Sequence, residues 1–199
     1  HFIFDGFGDY KISWSFFEDD KLVDLGFYKD EYSLGHCMNS IALNCNVEAA
    51  DPTDLAGKLM GLQAYGKIDK KFLNKIINFS GKELHIATDY GLWQQHIGDD
   101  TVANLTKLDW GKTVHFAVGE ILVKHFKKYV NENDVVSFSG GCAQNVIWNT
   151  QLKNAFKNLI VFPHCSDEGL SLGILEYFRK KHDLPFFKKN NFPYWQLQE

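Results

Sequence analysis

Val135-Val136-Ser137-Phe138-Ser139-Gly140-Gly141-Cys142-Ala143-Gln144-Asn145 decides the fold. A short apolar run of strand length stops at a glycine pair, and a helix-forming segment follows, predicted over 143–157. A helix N-terminus carries free N–H groups that attract anions, and glycines remove side chains from the approach. A ligand-free strand–helix turn would use similar residues; the glycine doublet tips the reading toward phosphate. Downstream, Leu159-Ile160-Val161-Phe162 is a second strand ended by Pro163. Ser166-Asp167-Glu168-Gly169 then opens a last helix, predicted over 168–181. Asp167 suits either an N-cap or a ligand. Gly169 and Gly173, four apart, share a helical face and predict close packing or a nearby ligand there.

Upstream, three strands are predicted over 2–29. Tyr10, Ile12, Trp14 and Phe16 alternate with polar neighbours, the period of a half-buried strand. Glu18-Asp19-Asp20-Lys21 is the turn into a third strand, giving an antiparallel meander. A helix is expected over 33–47. Asp54 is expected to cap a helix running through Lys58, Leu59, Leu62 and Tyr65. A short helix follows over 70–78, then an irregular stretch over 80–110. An amphipathic helix is predicted over 113–130, with Val114, Ala117, Val118, Ile121, Leu122, His125 and Phe126 on one face. The order βββ, helices, β, α, β, α is α/β and that of one ribonuclease-H-like lobe, spanning 1–182. Residues 183–199 read as a linker.

The chain has 199 residues, enough for one domain with a substantial core. Its net charge of −4 gives no basic excess, so no nucleic-acid partner is expected. No apolar run approaches the roughly 20 residues that span a bilayer, so no membrane partner is expected either. The four cysteines form no CxxC pair, which suits a reduced, cytoplasmic protein. The first residues, His1-Phe2-Ile3-Phe4, already read as a strand with no initiator Met, so the chain reads as a fragment.

Two further motifs carry chemistry. Asp5-Gly6-Phe7-Gly8-Asp9 sits between strands, where Gly6 and Gly8 let backbone N–H groups approach a phosphate. A carboxylate such as Asp5 beside phosphate commonly holds a divalent cation, although Asp-Gly is also an ordinary hairpin turn. In Gly57-Lys58-Leu59-Met60-Gly61-Leu62-Gln63-Ala64-Tyr65-Gly66, Gly61 inside a helix predicts close approach of a ligand or another backbone. Lys58 near the helix start is poorly placed for the dipole and well placed for an anion. The histidines show no HxxxH or HxH pairing; His164, three residues before Asp167, is the one placed to act.

Taken in order, DGFGD, GKLMGLQAYG, SGGCAQN and the run from Pro163 through Asp167 and Gly169 to Gly173 resemble the O-carbamoyltransferase family. That family includes the nodulation-factor and antibiotic carbamoyltransferases. The resemblance covers about residues 2–180. The family is similar to the threonylcarbamoyl tRNA-modification enzymes and, more distantly, to sugar kinases, actin and the heat-shock chaperone ATPases. It implies a two-step reaction, in which carbamoyl phosphate and ATP give carbamoyl adenylate and the carbamoyl group passes to a hydroxyl of a small sugar-like acceptor. It implies a divalent metal, Fe2+ first with Mg2+ or Mn2+ as alternatives, held by Asp5 and Asp167. Asp5, Gly6, Gly8, Lys58, Gly61, Gly140, Gly141 and Asn145 match the nucleotide-binding positions; no catalytic residue is assigned. The family has Glu where Ala56 stands. Its histidine metal motif would precede His1, and its adenylate-forming domain would follow the linker. A sugar- or acetate-type kinase and a non-catalytic nucleotide-binding domain are the competing expectations.

Overall fold

The computed structural model describes residues 1–6, 8–27, 33–79 and 104–185. Phe7, Tyr28, the 80–103 part of the stretch expected to be irregular (with His85 and His96), and 186–199 of the expected linker lie outside them.

Five strands form one sheet in the order β3-β2-β1-β4-β5. They are β1 (Phe2–Phe4), β2 (Ile12–Glu18), β3 (Lys21–Phe27), β4 (Val135–Ser139) and β5 (Asn158–Val161). The expected meander is there, since β2 is antiparallel to both β1 and β3. It is only one side of a mixed sheet: β4 runs parallel to β1, and β5 parallel to β4. Asp19 and Asp20 take φ of 46° and 64°, the left-handed values a two-residue hairpin loop requires, and Glu18 pairs with Lys21 across them.

The pleat puts Phe2, Phe4, Trp14, Phe16, Val136 and Phe138 on one face, because Phe2 pairs with both Phe16 and Phe138, and Phe4 with Trp14. Helices α1 (Leu34–Asn44), α2 (Leu55–Leu62), α3 (Lys70–Phe79), α4 (Lys107–Phe126) and α5 (Val146–Ala155) contribute to the same core. Phe126 of α4 stacks on Phe2 with ring centroids 3.7 Å apart. The last helix, α6 (Leu170–Lys181), has no buried residue.

Four helix boundaries correct the sequence reading, each for a local reason. Asp51, not Asp54, makes the cap: its Oδ1 accepts from Thr53 N at 2.8 Å and starts a 3-10 turn that runs into α2. Helix α4 begins at Lys107 rather than 113, because Thr106 Oγ1 accepts from Asp109 N at 3.1 Å. Its polar first turn and Gly111 look loop-like, but Gly111 is where α4 crosses the Cys45 sulfur. Helix α5 starts at Val146, after a 3-10 turn over Gly141–Gln144. Likewise α6 starts at Leu170, after a 3-10 turn over Asp167–Gly169.

Two buried histidines give α4 a pH signature. The Asn145 amide nitrogen lies 2.8 Å from His115 Nε2. An amide N–H2 only donates, so that nitrogen is the unprotonated acceptor of a neutral ring. Burial lowers the His115 pKa to about 4. His125, packed edge-on against Trp14 at 4.4 Å, is lowered to about 4, chiefly by burial. Both values fall below the unfolded 6.5, so the unfolded chain binds more protons between pH 6.5 and 4. Stability should therefore be full above pH 6.5 and fall as pH drops toward 4, by several kcal/mol in all, on the order of 1.4 per pKa unit per group. Urea unfolding across that window measures it, and a His115→Gln, His125→Phe chain should lose most of the slope.

Candidate functional site

The carboxyl ends of β1, β4 and β5 lie at one edge of the sheet, where ligands bind in open α/β folds. Asp5 follows β1. Its Oδ1 accepts from Gly6 N at 2.5 Å and its Oδ2 from Gly141 N at 3.2 Å. One carboxylate thus bridges the turn after β1 and the turn after β4. Each oxygen keeps a further lone pair, so the group can still meet a cation.

The facing wall comes from α1 and α2. Ser33 caps α1 and donates from Oγ to the Asp5 and Gly6 carbonyls, fixing the helix start over the β1 turn. Gly35 follows because a Cβ there would lie 2.5 Å from Gly6 Cα. The result is a cleft of about 640 Å³, within the roughly 300–1,000 Å³ of small-molecule sites. Its polar end carries Asp5, Gly6, Gly35, His36 and Gly141, and Met38, Met60 and Trp148 supply apolar wall.

Of the residues singled out from sequence, Asp5, Gly6, Lys58, Gly141 and Asn145 line this cleft together. Lys58 Nζ donates to the Glu48 carbonyl at 2.9 Å, which holds the ammonium at the rim. Asn145 is also a structural residue: it is buried, its Oδ1 accepts from Ile147 N and Trp148 N at 3.2 Å each, and it caps α5. Gly140 shapes the cleft without lining it. Its N–H donates to Cys165 O at 2.7 Å, joining the turn after β4 to the loop after β5. Gly8 shapes the β1–β2 turn, where a Cβ would sit 2.6 Å from Ile12 O.

Asp167 is exposed on the loop after β5 and does not line the cleft. The loop that carries Asp167 folds back from β5 against the turn after β4, where Gly140 N–H donates to Cys165 O and Gly141 N–H donates to Asp5. Among the described residues no three His, Cys, Asp or Glu side chains converge as a metal cluster. His164 is exposed on the same loop, where a Cβ on Gly169 would collide with its carbonyl. The Gln144 amide reaches Ser166 Oγ at 3.2 Å and ties this loop to the turn after β4.

For Gly61 and Gly173 the packing half of the expectation is not met: a Cβ at either would have no heavy atom within 4 Å among the described residues, which leaves the ligand half of the reading. Gly61→Ala should therefore stabilise the protein by about 0.5–1 kcal/mol through helix propensity and the unfolded-state entropy. Thermal unfolding measures the gain, and a loss would mean that α2 packs at Gly61. Sequence reasoning missed Ser33, Gly35 and His36; the available signal was a Ser followed by a first-turn glycine. Cys142 lines the cleft, but burial, with the Asp5 charge added, pushes its thiol far up, so it is no thiolate nucleophile.

A sequence profile for the carbamoyltransferase N-terminus matches residues 2–174. This chain belongs to the carbamoyltransferase family. Nodulation protein U of Azorhizobium caulinodans is 28% identical over 145 residues, covering 60% of this chain and 26% of that relative. The chain thus spans about a quarter of the length of this curated relative. The carbamoyltransferase match holds every cleft-lining residue and Asp167, and stops within α6. No helix among the described residues is long and apolar enough to cross a membrane.

Proposed function

We propose that this chain is the nucleotide- and phosphate-binding lobe of an ATP-dependent O-carbamoyltransferase. The observation that carries the reading is the cleft at the carboxyl edge of β1 and β4, with the Asp5 carboxylate held between two glycine turns at its polar end. The strand order, with only β2 reversed, supports a ribonuclease-H-like lobe of the actin and sugar-kinase type. Four free thiols suit a reduced cytoplasmic setting.

In this proposal the substrates are ATP, carbamoyl phosphate and a sugar-like hydroxyl acceptor, and carbamoyl adenylate is the intermediate. The apolar wall of Met38, Met60 and Trp148 takes the base, and the turns at Gly6 and Gly141 face the phosphates. A carboxylate beside phosphates needs a counter-cation. Asp5, at the polar end of the cleft, fits a hard divalent ion whose shell phosphate oxygens and water would complete; Asp167, which does not line the cleft, would have to approach to share it. Such an ion supplies charge neutralisation and polarises the reacting phosphate bond. For iron, further ligands from elsewhere in the protein would be needed, since no three-residue cluster forms among the described residues.

One observation favours a second reading, nucleotide binding without turnover: Ala56 stands on the cleft wall where the family resemblance expects Glu. Full-length protein separates the readings. Carbamoyl-phosphate-dependent release of AMP and pyrophosphate from ATP supports the transferase. ADP formation with a sugar would make it a kinase. Nucleotide binding with no product would leave a binding domain.

A further inference from the structure

The polar side chains of the cleft differ in what they already hold. Asp5 accepts from two backbone N–H groups, and Asn145 caps α5. Lys58 donates to the Glu48 carbonyl, the Gln144 amide to Ser166, and Thr53 Oγ1 to Asp51. Asn39 and Asp54 line the same cleft, and neither side chain has a hydrogen bond or ion pair among the described residues. No cap bond forms at Asp54, because Asp51 caps the preceding turn. An Asp and a Lys four apart on a helix ordinarily pair. Here Lys58 turns to Glu48 instead and leaves the Asp54 carboxylate open.

Their place and chemistry point to one part of a ligand. Asn39 lies one turn along α1 from Gly35 on the same helix face, and Gly35 abuts the Gly6 turn at the phosphate end. It is therefore about 5.4 Å further along the helix axis, and next in sequence to Met38 of the apolar wall. Asp54 stands at the start of α2, which packs against α1 and carries Met60 on that wall. A carboxylate accepts only, while an amide both donates and accepts. Together they suit two neighbouring hydroxyls, whose O–H groups bond the carboxylate and whose oxygens take the amide N–H. In a nucleotide, the sugar that joins base to phosphates carries such a pair.

We propose that Asn39 and Asp54 read the ribose 2′,3′-diol of the bound nucleotide, so that the cleft selects its nucleotide by the sugar. The inference rests on the nucleotide-binding reading of the cleft and adds to it the specificity and the two residues that set it.

Calorimetric titration of the full-length protein tests it, with Mg2+ and without carbamoyl phosphate. The probes are ATP and 2′,3′-dideoxyATP, which lacks both hydroxyls. The parent should bind ATP roughly tenfold or more tightly, the worth of a hydrogen bond to a charged group. Asp54→Ala should weaken ATP by that factor and leave 2′,3′-dideoxyATP within about twofold, so the preference collapses. Asn39→Ala should lower the preference in the same direction and by less, since its bonds are neutral. Both variants should melt with the parent, because neither side chain is bonded within the fold. Equal weakening of the two nucleotides, or a preference for ATP that survives in both variants, would overturn the inference and leave the nucleotide reading in place. A parent that binds neither nucleotide would overturn that reading and this inference with it.

Discussion

Gly140→Ala is expected to cost about 3–5 kcal/mol, a large share of the roughly 5–15 kcal/mol that holds a domain together. Gly140 has φ of 88° and ψ of 169°, a region that residues with a Cβ essentially do not enter. An added methyl would collide with the Phe4 carbonyl oxygen and lie 2.7 Å from its carbon and 3.0 Å from its nitrogen. These are backbone atoms of the central strand, and the Phe4 ring is fully packed, so nothing near can move aside cheaply. Relief requires shifting β1 or breaking the Gly140 N–H bond to Cys165 O, which undoes the joint between the β4 and β5 turns. Urea unfolding of the two chains measures the difference, with Gly61→Ala as the matched control in open space. A loss below about 1 kcal/mol would show that the turn re-forms with φ negative.

The contrast between these glycines shows where sequence stops being legible. Gly35 and Gly61 both sit inside helices, and helix propensity treats them alike. Only tertiary structure separates them: Gly35 lies against Gly6, distant in sequence, while Gly61 faces open space. Strands were legible because alternation is written locally; Phe2, Phe4, Trp14 and Phe16 announce their own face. The addition of β4 and β5 to the meander follows from the parallel pairing with β1, which is a long-range fact. The start of α4 was hidden because its first turn is polar and Gly111 is there for a contact with Cys45. Asn145 shows a further limit. A polar residue at a helix start serves capping and ligand binding by the same chemistry, and here its oxygen is engaged with two backbone N–H groups.

Asp5 is the residue whose loss should most affect function, and two substitutions distinguish charge from scaffolding. Asp5→Ala removes the acceptor for both Gly6 N–H and Gly141 N–H, so the cleft turns lose their bridge. Unmet charge-assisted bonds of this kind cost about 1.5–3 kcal/mol. Asp5→Asn keeps the shape and one acceptor oxygen but turns an N–H2 donor toward the second N–H, costing about 1–2 kcal/mol. If the proposal is right, the activity does not follow that gradation. The negative charge is what would hold a cation against the phosphates, and neither variant has it. Full-length Asp5→Ala and Asp5→Asn should both lose about 10²–10³-fold in carbamoyl-phosphate-dependent AMP formation, the order found when one preorganised charge contact is removed. Raising the divalent concentration should restore neither. Retention of a tenth or more of the activity by Asp5→Asn would instead assign Asp5 to the architecture of the two turns, leaving the phosphate cation to be held elsewhere.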